Sequence, residues 1–248
     1  MPPSLPLCWF VLGHEPLVSL AELVQLFPRT PFKRLGNSIA AAPVSLPQRF
    51  INSVGGIVKT ATQLADALDE KELFAAIEHE LGTVSGKIHF GMSSYPGTHG
   101  ALDAKTLQTW GLQIKKAVKA NGLSVRYVDN RGAVALSSAS VLNNGLVERG
   151  REFIIVRVAP QKFALAITTA VQPFEAFSER DFGRPGRDDV SGMLPPKLAM
   201  VMINCAAIPK DRALYDPSCG SGTILTEAML LGYTKLIGSD MSARAVED

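Results

Sequence analysis

Residues 216–222 read Asp-Pro-Ser-Cys-Gly-Ser-Gly, and this stretch decides how the C-terminal part of the chain folds. "RALYD" (212–216) leads into it as a strand pattern, and "TILTEAMLLG" (223–232) leaves it as an apolar helix pattern. "KLIGSD" (235–240) then reads as a second strand that ends in an acid. Strand, glycine turn, helix and strand in that order open a doubly wound α/β domain. Gly220 and Gly222 permit a tight turn and close approach of a ligand to main chain, while the first N–H groups of the helix lack internal partners and point at the loop. Ligands of open α/β sheets settle at this carboxyl edge of the strands. Asp240 follows Asp216 by twenty-four residues, near the spacing at which an acid takes ribose hydroxyls.

The loop discriminates among nucleosides. A P-loop places Gly-Lys-Ser/Thr after its turn, whereas Gly222 is followed by Thr223-Ile224, which argues against ATP or GTP hydrolysis. A dinucleotide fingerprint needs a third glycine where Leu225 stands, which weakens NAD and FAD. S-adenosylmethionine remains, a ribonucleoside without phosphates that requires a glycine turn and a ribose-binding acid. The competing reading, an ordinary βαβ turn without a ligand, stays open at this level. Cys219 is read as a small loop-lining residue rather than a nucleophile, since no base is placed beside it.

Working outward, 248 residues accommodate one large or two to three small domains, and 46% hydrophobic with 19% charged residues is globular rather than disordered. A formal net charge of +2 is too near neutral to name a polyanionic partner, so any nucleic-acid reading rests on local charge. Cys8, Cys205 and Cys219 are odd in number and lack a CxxC pair, which fits a reducing compartment and argues against a disulfide framework or a zinc site. The N-terminus lacks a basic n-region, and no apolar run approaches the roughly 18 residues that span a bilayer, so a cytoplasmic, soluble chain without membrane partner or metal is expected. His14, His79, His89 and His99 share no ligand spacing.

The N-terminal region reads β-α-β-β-α-β, a ferredoxin-like order. Leu7 to Leu12 is the first strand. Ser19 and Glu22 have the spacing of a capping box opening a helix to Phe27, Gly36-Asn37 is a hairpin turn, a helix is expected from about Pro47, and a strand from Ile57 to Gln63. Farther on, "DEKELFAAIEHEL" reads as a helix, "KIHFGMSSY" as a strand, and Asp103 to Asn121 as a helix with Leu107, Trp110, Ile114 and Val118 on one stripe. "LSVRYVD", "EFIIVRVA" and "KFALAITTAVQ" are strands, and Pro173 to Met193 is a polar connector.

The C-terminal motif "DPSCGSGTILTEAMLLGY…IGSD" closely resembles the cofactor motif of THUMP-domain RNA methyltransferases, which methylate the exocyclic amine of guanosine in tRNA. Ser218 departs from the Phe common at its position. "RDFGRPGRDDVSGMLPPKLAMVMINCA" resembles the family's lead-in to its catalytic domain, "CWFVLGHEPLVSLAEL" and "INSVGGIVKTATQL" its N-terminal module, and "LQIKKAVKANGLSVRYV" and "LSSASVLNNGL" its THUMP region. The resemblance implies an α/β architecture with α+β N-terminal modules: a ferredoxin-like domain (1–66), a THUMP domain (67–172), a linker (173–193) and the start of a Rossmann-like methyltransferase domain (194–248). It further implies that Asp216, Pro217, Cys219, Gly220, Ser221 and Gly222 face S-adenosylmethionine, that Asp240 holds its ribose, and that tRNA is the partner.

Amine methylation in this family relies on an Asn/Asp-Pro-Pro-aromatic motif, and Pro2-Pro3 and Pro195-Pro196 do not supply it. No catalytic residue is therefore assigned up to Asp248, the motif is expected beyond Asp248, and a fragment is expected. "TILTEAMLLG" and "KLIGSD" are then apolar elements that later strands and helices would cover, so an exposed patch is expected on them. A stand-alone RNA-binding protein and an adenine-specific DNA methyltransferase are the alternatives.

On the substrate side, Gly100 to Gly132 holds six basic residues, Lys105, Lys115, Lys116, Lys119, Arg126 and Arg131, against Asp103 and Asp129. At helical periodicity the four lysines fall within roughly one 100° arc, away from the apolar stripe. Charge alone fits a solvated face, and the THUMP resemblance turns it into a phosphate-facing surface. Arg180, Asp181, Arg184 and Arg187 on the connector have two open readings, salt bridges or RNA contacts.

Overall fold

A computed structural model describes residues 5–183 and 193–242. Two compact units emerge, and neither is one continuous segment: 1–12, 30–46 and 58–172 form the first, 13–29, 47–57 and 173–248 the second.

The first unit is built on an eight-stranded mixed sheet in the order β2-β3-β1-β4-β8-β7-β5-β6. The strands are β1 (Leu7–Leu12), β2 (Lys33–Arg34), β3 (Ile39–Pro43), β4 (Ile57–Leu68), β5 (Ile88–Tyr95), β6 (Val125–Val128), β7 (Arg151–Ala159) and β8 (Lys162–Val171). β3 lies between β1 and β2, and β1 between β3 and β4, so the β1–β2 and β3–β4 connections are each split by another strand, while β2 and β3 pair directly. β7 is apolar on both faces, and Phe153, Ile154, Ile155 and Val156 are all fully buried, as a central strand covered on two sides requires. Helices α2 (Glu70–Gly82) and α3 (Ala104–Ala120) cover one face, with Leu73, Ile77, Leu107, Trp110 and Ile114 packed on Phe90, Phe153 and Ile155. Asp69 and Glu72 close a reciprocal capping box on α2, and Asp103 caps α3 by accepting from the Thr106 amide. α3 stops at Gly122, whose φ of +83° is the left-handed turn that glycine adopts most easily.

A short helix α4 (Ser138–Asn143) was not anticipated as a helix; Ser137 caps it by accepting from the Ser140 amide. Ser93 and Ser94 are fully buried. Ser93 donates to Glu152, and Glu152 is ion-paired with Lys59 in the sheet interior.

The second unit contains α1 (Pro16–Leu26), α5 (Phe174–Phe182), α6 (Pro196–Ala206), β9 (Leu214–Asp216), α7 (Thr223–Leu230) and β10 (Leu236–Gly238). Three sequence expectations are corrected here. Ser19 and Glu22 form no capping box, because the helix starts earlier, at Pro16, and both residues lie in its interior. The helix expected from Pro47 shrinks to a single 3-10 turn at Phe50–Ser53. Part of the expected connector, Phe174–Phe182, is helical, because Phe177 gives it one buried contact around which a turn can organise.

α1 packs against α6, and Gly55 lies so close to the first turn of α6 that a Cβ there would sit 1.9 Å from the Lys197 carbonyl oxygen. Pro196 stands at the first helical position of α6, where its missing N–H costs nothing, so the Pro195-Pro196 pair serves as a helix start. Ile203, Leu214, Ala228 and Tyr233 form the small core beneath the glycine loop.

Candidate functional site

β9 and β10 pair in parallel, with Asp216 opposite Gly238, so both strands deliver their carboxyl ends to the same edge. The loop between β9 and α7 is held by main-chain bonds from both strands. The Ser239 amide donates to the Asp216 carbonyl at 3.0 Å, and the Cys219 amide donates to the Ser239 carbonyl at 3.0 Å. The buried Asp216 carboxylate accepts from the Ser218 amide at 3.1 Å and tightens the turn at its start.

Gly220 and Gly222 have φ of +49° and +77°, the left-handed region, and the space beside both is open where a Cβ would stand. The loop therefore needs glycine for its backbone, and the absence of side chains leaves that main chain approachable. Gly222 is also the N-cap of α7, with no side-chain cap in front of it. Asp216, Cys219, Gly220 and Ser221 line a cleft of about 210 Å³ together with Met193 and Leu194. Full small-molecule pockets run to roughly 300–1,000 Å³, so the cleft is smaller than a complete nucleoside site.

Asp240 lies beyond β10 and reaches back to the loop. Its Oδ2 accepts from the Gly220 amide at 2.9 Å and its Oδ1 from the Ser242 amide at 2.9 Å. These donors, Ser242 first and Gly220 second, hold its carboxyl below the usual carboxylate value. A carboxylate offers about four lone-pair sites, so two remain for hydroxyl donors. Cys219 turns inward: a Cβ on Gly238 would come within 3.0 Å of its sulfur. Its small side chain fills the space between the loop and β10. Pro217 contributes its carbonyl, which the Ser239 hydroxyl approaches at 3.4 Å.

The catalytic motif expected beyond Asp248 lies outside the described residues, which end at Ser242. No described residue is assigned a catalytic role.

Two buried carboxylates that sequence reading did not single out as site-building residues brace this unit. Glu22, fully buried on α1, accepts from the amides of Gly55 at 2.9 Å and Gly56 at 2.8 Å, and from Asn204 Nδ2 at 2.7 Å. Burial pushes its carboxyl above the ordinary value, against the opposing pull of Asn204, Gly55 and Gly56. Glu227 on α7, 1% exposed, is gripped by Arg180 through Nε at 2.6 Å and Nη2 at 3.2 Å. Arg180 also lies over the Phe177 ring, 4.5 Å from its centroid. The connector arginine thus has a structural partner; Arg184 and Arg187 lie outside the described residues.

In the first unit, Lys105, Lys116, Lys119 and Arg126 are exposed and Lys115 is half-buried, while Leu107, Trp110, Ile114 and Val118 are buried. Arg126 sits on β6 and lines a polar cleft of about 660 Å³ with Arg131, Asn143 and Asn144. Among the described residues no cluster of three or more His, Cys, Asp or Glu side chains has the arrangement of a metal site. No described helix is long and apolar enough to cross a membrane.

Residues 184–244 match the family model described as RMKL-like, methyltransferase domain. Over 56 residues, 23% of this chain, the sequence is 41% identical to the tRNA (guanine(10)-N2)-dimethyltransferase of Methanothermobacter thermautotrophicus. Over 53 residues it is 45% identical to the enzyme of the same name from Methanocaldococcus jannaschii. The matched segment is a methyltransferase domain by its likeness. The methyltransferase match spans 16% and 15% of those two curated relatives.

The chain's fold is similar to that of TrmN from Thermus thermophilus, with a TM-score of 0.53 at 16% identity over 97% of this chain and 67% of that one. It is similar as well to a predicted N6-adenine-specific DNA methylase from Listeria monocytogenes, with a TM-score of 0.52 at 15% identity over 98% of this chain and 70% of that one. At these identities the likeness is one of fold.

Proposed function

We propose that this chain is the RNA-binding and cofactor-cradling part of an S-adenosylmethionine-dependent methyltransferase that modifies the exocyclic amine of a tRNA guanosine. The observation that carries the reading is the loop itself, with open main chain at Gly220 and Gly222 and the Gly220 amide bonded to the carboxylate of Asp240. The residues fit an adenosyl ligand: two acceptor sites for vicinal hydroxyls, a glycine turn without side chains, and the start of α7 directed at the loop. The cofactor supplies an electrophilic methyl group, and the chain's own residues bind and orient it. Asp216 shapes the loop, Asp240 takes the ribose hydroxyls, and Cys219 packs the loop onto β10.

The split strand order β2-β3-β1-β4 supports a ferredoxin-like segment over 1–66, and β5 to β8 with α2 and α3 a THUMP segment over 67–172. The exposed lysines of α3 and Arg126 then supply phosphate contacts, which set affinity and leave sequence reading to other groups. The archaeal relatives' names favour guanine N2 as the acceptor, whereas the listerial neighbour's title suggests adenine in DNA as a second reading.

The full-length protein that carries this chain should transfer labelled methyl from S-adenosylmethionine to unmodified tRNA and yield N2-methylguanosine on nucleoside analysis. N6-methyladenine in a DNA substrate would instead select the second reading, and no transfer to either would reject both.

A further inference from the structure

In the first unit, far along the sequence from the glycine loop, three irregularities converge on one side chain. The register between β7 and β8 slips between Arg157 and Ala159, a bulge of the kind that re-aims a side chain. The hairpin that follows turns on Gln161, a non-glycine residue at φ +56°. Arg157 Nε is buried without a hydrogen-bond partner, one of two such side-chain atoms among the described residues. A buried donor on a charged group left unpaired is costly, and native proteins keep few of them.

Arg157 lines a cavity of about 890 Å³, along with Trp110, Phe163, His99, Lys71 and Gln161. Its guanidinium lies 5.7 Å from the Phe163 ring centroid, and Phe163 stands edge-on to Trp110 at 5.3 Å, so one wall is aromatic. The mouth is held in shape. Gly97 approaches the Arg157 carbonyl so closely that a Cβ there would lie 2.2 Å from it, and Thr98 donates to the Val158 carbonyl at 3.3 Å, which fixes the turn that carries His99. Asp69 and Glu70 also lie on the rim, and Lys162 Nζ, 3.9 Å from Asp69 Oδ2, offsets part of that negative charge.

We infer that this cavity binds a phosphate group carried by a nucleotide, with Arg157 as its anchor and the Trp110–Phe163 wall beside the base. A guanidinium fork suits a phosphate oxygen pair, Lys71 adds a second cation at the rim, and the volume exceeds what a bare anion needs. The nucleotide comes either free or as a unit of an RNA chain, and the chemistry at Arg157 is the same for both.

The test uses the full chain, with adenosine monophosphate, inorganic phosphate and unmodified tRNA as probes. Adenosine monophosphate should raise the melting temperature of the wild type. Arg157→Met should melt at or above the wild-type temperature without ligand, because it removes an unpaired buried donor, and should lose the ligand-dependent rise. As a readout that needs no variant, the Arg157 Nε–H resonance of labelled protein should move on adding phosphate. A shift with the free nucleotide assigns a mononucleotide site, and a shift with tRNA alone assigns a phosphodiester. A resonance unmoved by all three probes, or a rise in melting temperature equal in wild type and Arg157→Met, overturns the proposal. None of these readouts involves S-adenosylmethionine, so the outcome is separate from that of the methyl-transfer assay.

Discussion

The amide of Gly220 and the carboxylate of Asp240, twenty residues apart in sequence, are joined by a 2.9 Å hydrogen bond across the carboxyl edge of β9 and β10. That bond sets the acid's position against the loop, and the Ser242 amide together with it holds the carboxyl below the usual carboxylate value. Asp240→Ala should lower S-adenosylmethionine affinity by about tenfold or more, and Asp240→Asn, which keeps one acceptor, by less. Because the folded value is depressed, binding should hold at neutral and mildly acid pH and fall only as the pH drops through that lowered value. Calorimetric titration at several pH values checks both points, and an Asp240→Ala protein with unchanged affinity would remove the residue from the site.

Glu22 should be the titratable group most responsible for the pH response of the second unit. Its carboxyl is raised above 4.5 by burial, so the folded state holds the proton more tightly than the unfolded chain. The stability from this group is therefore fully present below the unfolded value and is lost as pH rises through the raised folded value. Glu22→Gln should flatten that part of the profile. It should also lower stability by about 1–3 kcal/mol, since an amide cannot accept from all three converging donors. Thermal melts across mildly acid to neutral pH test this, and a variant with the wild-type slope contradicts it.

Arg180 and Glu227 form a pair in which the acid is buried and the base a quarter exposed. Arg180→Met strands the carboxylate and should destabilise the protein by roughly 3–5 kcal/mol. Arg180→Met with Glu227→Met should recover much of that loss. Additive losses in the double variant, read from denaturant unfolding, would show that the two side chains act independently.

Replacing Lys115, Lys116 and Lys119 with alanine should leave the melting temperature nearly unchanged, because Lys116 and Lys119 are exposed and Lys115 is half-buried. In tRNA binding measured against salt concentration, the log–log slope should shrink by about 0.7 for each single-strand phosphate contact removed. An unaltered slope would make this helix face ordinary surface.

The elements of the first unit were legible where one physical signal dominated. The α3 stripe of Leu107, Trp110, Ile114 and Val118 marked a helix, and the apolar run of β7 marked a strand buried on both faces. Legibility failed where tertiary contacts outweighed local pattern. Ser19 and Glu22 have capping-box spacing, but Glu22 serves the distant amides of Gly55 and Gly56, thirty-three and thirty-four residues away. Phe174–Phe182 looked irregular because its polarity hides one buried ring, Phe177, and the arginine that pairs with Glu227. The expectation that "TILTEAMLLG" and "KLIGSD" would leave apolar surface uncovered matches the exposure of Met229 at 61%, Leu230 at 58% and Ile237 at 53%. Within the candidate site, the glycines and Asp240 were visible from spacing. The Asp240–Gly220 bond was not, because it depends on how the residues after β10 curl back over the loop.

The cradle is tested most directly by following the backbone amides of Gly220, Gly222 and Ser242 by nuclear magnetic resonance while S-adenosylhomocysteine is added to the folded chain. An adenosyl-binding cradle should give saturable shifts centred on these three amides, weakened by Asp240→Ala. Amides that stay in place here, in a protein whose other resonances report an intact fold, would contradict it.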